Sequence, residues 1–265
     1  MNGFIHNVKY SEGLKKLSSH YHDAHQILYV VDGCAEISVD GKNYKLYKDS
    51  LIFISQMESH SIVSADEHYS RFEIRISPEI SNYSHKNPIL YSVLKNRPEG
   101  FCHVVTVSDN SIINIFNEMI TEFENEKPYK DDMLSILLDR LFISLYRCNP
   151  EVFSVGNTPN HEIVYKIQKE FENDMSSNFT LDMIADKYKF NKYYLSHMFK
   201  SVTGYSVMDY LKNSRLAKSK YLLAKTALSI GDIVNICGFS DCSNFSRSFK
   251  QSVGMSPSEF RKKYK

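Results

Sequence analysis

Two stretches of the chain carry side chains that could read a nucleic acid. Lys192, Tyr193, Ser196, His197 and Lys200 recur at helical spacing, and so do Cys242, Ser243, Asn244, Ser246, Arg247 and Lys250. An arginine can grip guanine O6 and N7 with two N–H donors, histidine and serine reach base edges, and lysines suit phosphates. A single exposed basic helix proves little, because ordinary solvated faces look the same. Here the pattern occurs twice in register.

The repeat positions these residues. Phe199-Lys200-x-x-x-Gly204-x-Ser206-x-x-x-Tyr210 matches Phe249-Lys250-x-x-x-Gly254-x-Ser256-x-x-x-Phe260 at an offset of 50, while Ile184 and Phe190 match Ile233 and Phe239 at 49. One extra residue therefore enters the second copy ahead of its last helix. Each copy predicts a helix-turn-helix. In the first, Thr180 caps a short helix whose Leu181, Ile184 and Ala185 face inward. Phe190 plugs the turn, and Asn191 caps a helix burying Leu195, Met198 and Phe199. In the second, Ser229 caps, Ile230 and Ile233 point in, Gly238 turns, and Ser240 or Asp241 caps a helix burying Phe245 and Phe249. One amphipathic helix over 206–223 joins the copies.

Charge divides the chain at the same place. Residues 160–265 hold 17 Lys+Arg against 10 Asp+Glu, leaving 15 against 21 for residues 1–159, so a net +7 is joined to a net −6. A basic C-terminal part suggests that this part alone meets a polyanion. With 42% hydrophobic and 24% charged residues the composition is globular, which excludes wholesale disorder. Five scattered cysteines, none in C-x-x-C spacing, argue against a disulfide framework or structural zinc. No apolar run is long enough to cross a bilayer and the N-terminus lacks the order of a signal peptide, so the expected location is the cytoplasm, with no membrane partner.

The N-terminal half reads as short strands between Ser18 and Ser77. Ile27–Val31 and Leu51–Ile54 are apolar runs, Ile37 and Val39 alternate before an Asp40-Gly41 hairpin turn, Tyr44 and Leu46 follow, and Phe72, Ile74 and Ile76 alternate again. That pattern predicts a small antiparallel barrel or sandwich. Two helical stripes come next. One runs through Ile112, Ile113, Phe116, Met119, Ile120 and Phe123, with Asp109 and Asn110 as capping candidates. The other, wider, runs through Met133, Leu134, Leu137, Leu138, Leu141, Phe142 and Leu145, and serves either packing on the barrel or a dimer seam. Residues 149–160 (NPEVFSVGNTPN) break any helix and read as a linker.

On Leu181-x-x-Ile184-Ala185, Leu195-Ser196-x-x-Phe199-Lys200, Gly204, Arg215-Leu216-Ala217, Ile233-x-x-x-x-Gly238-Phe239-Ser240, Phe245-Ser246-Arg247-x-Phe249-Lys250 and Gly254-x-Ser256-Pro257-x-x-Phe260-Arg261, the segment 179–261 resembles the DNA-binding domain of the AraC/XylS family of bacterial regulators. The resemblance implies that Tyr193, Ser196 and His197, then Cys242, Ser243, Ser246 and Arg247, read bases in successive major-groove segments. It also implies activation by contact with RNA polymerase. Three positions depart from the family pattern. Lys189 stands where the first turn usually has glycine, Val234 replaces a small alanine, and His197 replaces a common arginine.

Further upstream, His20-x-His22-x-x-x-Gln26, Gly33 and the later His60 resemble the two cupin motifs. Gln26 takes the place of a glutamate ligand and brings no charge to a cation, although three histidines could still hold zinc. The favoured reading makes His20, His22, Gln26 and His60 an effector-binding set with no metal and no cofactor. Histidines satisfied by hydrogen bonds at the barrel mouth are the other. The expected fold class is α+β multidomain: a cupin-like antiparallel β-barrel with helices at 1–148 for sensing and dimerisation, a linker at 149–160, and an all-α domain with two helix-turn-helix units at 161–265. The expected partners are double-stranded DNA, RNA polymerase, an unidentified small effector and a second copy of the chain. The rivals are a metal-dependent cupin enzyme with an appended DNA-binding domain, and a scaffold that senses nothing.

Overall fold

The computed structural model describes residues 4–13, 24–56, 58–77, 88–107, 109, 111–153 and 159–264, in two compact units. The first unit opens with β1 (Ile5–Glu12), β2 (His25–Asp32), β3 (Cys34–Val39), β4 (Lys42–Tyr47), β5 (Ser50–Ile54), β6 (His60–Ala65) and β7 (Ser70–Ile76). A short α1 (Pro88–Ser92) and β8 (Val104–Thr106) lead to two helices, α2 (Ser111–Glu124) and α3 (Lys130–Cys148). All pairings are antiparallel, in a five-stranded sheet of order β1-β7-β2-β5-β8 and a three-stranded sheet β4-β3-β6.

Two cores flank the larger sheet. Between the sheets, Leu28, Val30, Ile52 and Ile54 meet Ala35, Ile37, Val39 and Leu46. On the opposite face, Ile27, Tyr29, Phe53, Phe72 and Ile74 pack on Ile112, Phe116, Leu138 and Phe142 of the helices. The central strands β2 and β5 are therefore covered on both sides, which is why they read as unbroken apolar runs. By contrast β3 keeps one face wet and alternates strictly. The Asp40-Gly41 turn joins β3 to β4 with both residues at positive φ, as a two-residue hairpin of this hand requires. Asp109 holds the start of α2 by accepting from the Ser111 backbone N–H at 2.8 Å; Asn110 lies outside the described residues.

Past α3 the chain does not leave the first core at once. Val152 and Phe153 are buried in it, and Phe153 meets Phe142 edge-on. Of the expected linker, residues 154–158 lie outside the described set, and Pro159 already opens a helix, where a missing N–H costs nothing.

The second unit is helical: α4 (Pro159–Asn173), α5 (Leu181–Tyr188), α6 (Lys192–Thr203), α7 (Val207–Lys225), α8 (Ile230–Ile236), α9 (Cys242–Val253) and α10 (Pro257–Tyr264). Helix α4 buries Val164, Ile167 and Phe171, and Phe171 and Phe199 both pack on the ring of Tyr210 from α7. The second half has its own core of Leu216, Leu223, Ile233, Val234, Phe245, Phe249 and Phe260.

Candidate nucleic-acid interface and the barrel interior

Each helix-turn-helix is set by its caps. Thr180 accepts from Met183 N–H and Asn191 from Tyr193 N–H, starting α5 and α6. In the second copy Ser229 and Asp232 cap α8 reciprocally, and Asp241 rather than Ser240 caps α9 by accepting from Asn244 N–H at 2.7 Å. Ser240 is thus the extra residue between the turn and the helix. Caps of this kind contribute about 1 kcal/mol each. The exposed carboxyls of Asp241, accepting from Asn244, and of Asp232, accepting from Ser229, are held below the usual carboxylate range by those bonds.

The two turns solve one backbone problem with different residues. Gly238 (φ 72°) and Lys189 (φ 59°) both adopt the left-handed conformation at equivalent places. In Lys189 this is strain that glycine would not carry. Gly238 has a second reason to lack a side chain. An added methyl would stand 2.9 Å from Ser176 Cα and closer still to the Met175 carbonyl oxygen. That same carbonyl accepts from Arg215 Nε at 3.1 Å, while the Arg215 fork also donates to the Ser177 carbonyl at 2.6 Å. Half-burial lowers the Arg215 pKa, yet the side chain stays a cation that ties α7 to the segment before α5. Sequence reading had noted Arg215 only as part of a motif.

With the caps and turns fixed, α6 and α9 present their polar faces. Lys192, Tyr193, His197 and Lys200 are exposed on α6 and Ser196 is half-buried; Leu195, Met198 and Phe199 point inward. On α9, Cys242, Ser243, Asn244, Arg247 and Lys250 are exposed and Ser246 is half-buried above Phe245 and Phe249. Two residues are partly committed. Asn244 donates from its side chain to Ser240 Oγ at 3.1 Å, and Lys192 lies 3.2 Å from Asp182, an exposed pair of little energetic weight. Tyr193 and Arg247 extend from the first and second turns of their helices into open solvent.

The barrel set is only partly described, because His20 and His22 lie outside the described residues. Gln26 and His60 come from different sheets, and both are buried on the face between them, Gln26 opposite Ile54 and His60 opposite Val39. Two further histidines were not singled out from sequence. His25 Nδ1 accepts from Gln56 N–H at 3.3 Å, and His103 Nε2 meets the buried Glu58 at 3.0 Å while its Nδ1 faces the Tyr44 hydroxyl at 3.1 Å. Among the described residues no group of three or more His, Cys, Asp or Glu is placed to hold a metal ion. Nor, among them, is any helix long and apolar enough to cross a membrane.

Comparison with known proteins matches the two units to two models. An AraC-like ligand binding domain covers residues 14–142, and a helix-turn-helix domain covers 184–263. The chain belongs to the AraC/XylS family. Like its family, it is a DNA-binding transcription regulator with an N-terminal domain of the effector-binding type. It is 21% identical over 244 residues to the HTH-type transcriptional activator RhaR of Salmonella dublin, spanning 92% of this chain and 86% of that protein. To RhaR of Shigella dysenteriae serotype 1 it is 24% identical over 246 residues, with the same coverage. Its fold is similar to that of apo ToxT from Vibrio cholerae, with a TM-score of 0.63 and 18% identity over 100% of this chain and 99% of that one. This AraC/XylS chain therefore has a double helix-turn-helix and an antiparallel cupin-like barrel, as the sequence led one to expect.

Proposed function

We propose that this chain is a dimeric transcription activator that reads two adjacent major-groove segments with α6 and α9, under control of a small effector in the barrel. The observation that carries the reading is the duplicated capped helix. Tyr193, Ser196 and His197 on α6 and Cys242, Ser243, Ser246 and Arg247 on α9 occupy matching turns of matching helices, with Lys200 and Lys250 one turn further on. Bases are the task of the first set, phosphates of the second. Asn244 instead donates its backbone N–H to the Asp241 cap and its side-chain amide to Ser240.

Support for dimerisation lies on α3. Its inner face buries Leu134, Leu137, Leu138, Leu141, Phe142 and Leu145, but a second apolar row faces solvent. Met133 is 45% exposed and Ile136 60%, joined by Tyr129, Ile143 and Tyr146. Tyr129, Met133, Ile136 and Ile143 follow the four-three spacing of a coiled-coil seam, interrupted by Arg140, which pairs with Glu118. A second copy of the same helix would cover that row. Activation in contact with RNA polymerase accords with the activator relatives, and the ligand-binding type of the first unit accords with effector control. Selecting bound sequences from a random duplex library with the full chain tests the reading. A selected site should contain two blocks one helical turn apart, about 10 base pairs.

A further inference from the structure

The two halves of the helical unit have separate cores. Phe171 and Phe199 pack on Tyr210 in the first, whereas the second is built from Leu216 onward. Helix α7 runs through both. Its 19 residues, at about 1.5 Å each, make a rod roughly 28 Å long, and helices of that length bend. A small bend at its middle would change the angle between α6 and α9. On a duplex that angle matters, because one base pair more moves a block by about 3.4 Å along the axis and roughly 35° around it.

A second connection between the halves lies at the middle of α7. Residues 174–177, which lead into the first helix-turn-helix, are a firm turn: Asp174 accepts from the Ser177 hydroxyl and from Ser176 Oγ at 3.0 Å, and the Ser177 N–H donates to the Asp174 carbonyl at 3.3 Å. The carbonyls of Met175 and Ser177 take the two arms of the Arg215 guanidinium, Nε at 3.1 Å and Nη2 at 2.6 Å. The turn of the second copy closes on the same place. A methyl on Gly238 would stand 2.8 Å from that Arg215 Nη2 and would strike the Met175 carbonyl. Lys189, the matching residue of the first copy, is exposed. Glycine is thus demanded in the turn that presses on the other half, and a long side chain stands in the turn that faces solvent.

We propose that Arg215 is a positioning residue for sequence recognition: by holding the Met175 and Ser177 carbonyls beneath the second turn, it fixes the angle between α6 and α9 and so the number of base pairs between the two blocks. This rests on the reading of α6 and α9 as the base-reading helices. Only a guanidinium fork serves two carbonyls from one side chain at fixed separation, with charge-assisted bonds; a lysine is a single point. Arg261 of α10 offers the contrast. It donates to the Leu228 carbonyl at 2.6 Å ahead of α8, a tie within the second half alone.

The test is fluorescence anisotropy of the full chain on a library-selected duplex, on the same duplex with one base pair added or removed between the blocks, and on one with the second block scrambled. The wild type should lose about 10²-fold or more when the spacing changes, because both helices can no longer engage at once. Arg215→Met should bind the one-block duplex as the wild type does, yet lose less than about tenfold on a change of spacing, since a loosened pair adjusts to either site. Arg215→Lys should fall between them, and Arg261→Met should keep the full spacing penalty. A wild type indifferent to spacing, an Arg215→Met with the penalty intact, or an Arg261→Met relaxed to the same degree would overturn the proposal. Failure of both Arg215 variants to fold would do so too, by making the residue structural. A wild type that selects no two-block site would overturn the reading of α6 and α9 together with it.

Discussion

Three substitutions at left-handed positions isolate one contact of the second unit. Gly254 (φ 80°) and Gly238 (φ 72°) share the backbone conformation, but nothing stands within 4 Å of a methyl built on Gly254. Gly254→Ala therefore adds left-handed strain of about 1–2 kcal/mol, less roughly 0.5–1 from the stiffer unfolded chain, for a net loss of about 1. Gly238→Ala adds the same and also drives a methyl into the Met175 carbonyl and Ser176. Overpacking against backbone adds about 1–3 kcal/mol, so the total loss is about 2–4. Lys189→Gly relieves strain and loosens the unfolded chain, leaving stability unchanged or higher by up to about 1 kcal/mol. Calorimetry of the full chain reads these as shifts in the transition of the helical unit, about 4–8 °C per kcal/mol for a domain of this size. Equal losses at Gly238 and Gly254 would refute the close approach of the second turn to residues 175–177.

The remaining predictions concern binding, assembly and acid. Arg247→Ala should cost about 1–3 kcal/mol on the preferred site and relax base preference in one block, whereas Lys250→Ala should weaken all duplexes alike; fluorescence anisotropy on specific and random DNA separates the two. Ile136→Glu places a charge in the outward row of α3 and should convert dimer to monomer in sedimentation velocity, with the fold unchanged by circular dichroism. Asp232, Asp241 and Glu259 have folded-state pKa values lowered by serine and backbone N–H donors. Their contribution is present above the unfolded carboxylate value, about 4, and is lost as pH falls through the lowered folded values. The helical unit should thus lose this contribution as pH falls from about 4 through those lowered values, and Asp232→Asn should flatten the acid limb of a denaturation series.

What could be read from sequence follows from what periodicity encodes. The double helix-turn-helix was legible because caps, turn residues and buried positions repeat, and Thr180, Asn191, Ser229 and Gly238 do what their types suggest. Helix α4 was not, because Pro159 and Asn160 read as the end of a linker and only Val164, Ile167 and Phe171 mark its buried stripe. The width of the α3 stripe was visible, but spacing alone does not say that Leu134 faces the core while Met133 faces out. The alternation of Phe72, Ile74 and Ile76 had the plainest cost. Alternation implies one wet face, yet β7 lies between two neighbours in a sheet covered on both sides, so Arg71, Glu73 and Arg75 turn inward. Only the packing of the second sheet reveals that. Gln26 and His60, taken from a motif, do lie on that interior face.

The measurement closest to the central claim is the salt dependence of binding to a library-selected duplex, for the wild type and for Arg247→Ala. A double reader with seven net positive charges should lose affinity steeply as salt rises, by about 10³ or more between 50 and 200 mM if some six phosphates are contacted. Arg247→Ala should lower affinity for the selected duplex without altering that slope, since a base contact releases no phosphate counterions. A flat salt dependence, or a wild type with no preference for the selected duplex over random DNA, would contradict the account.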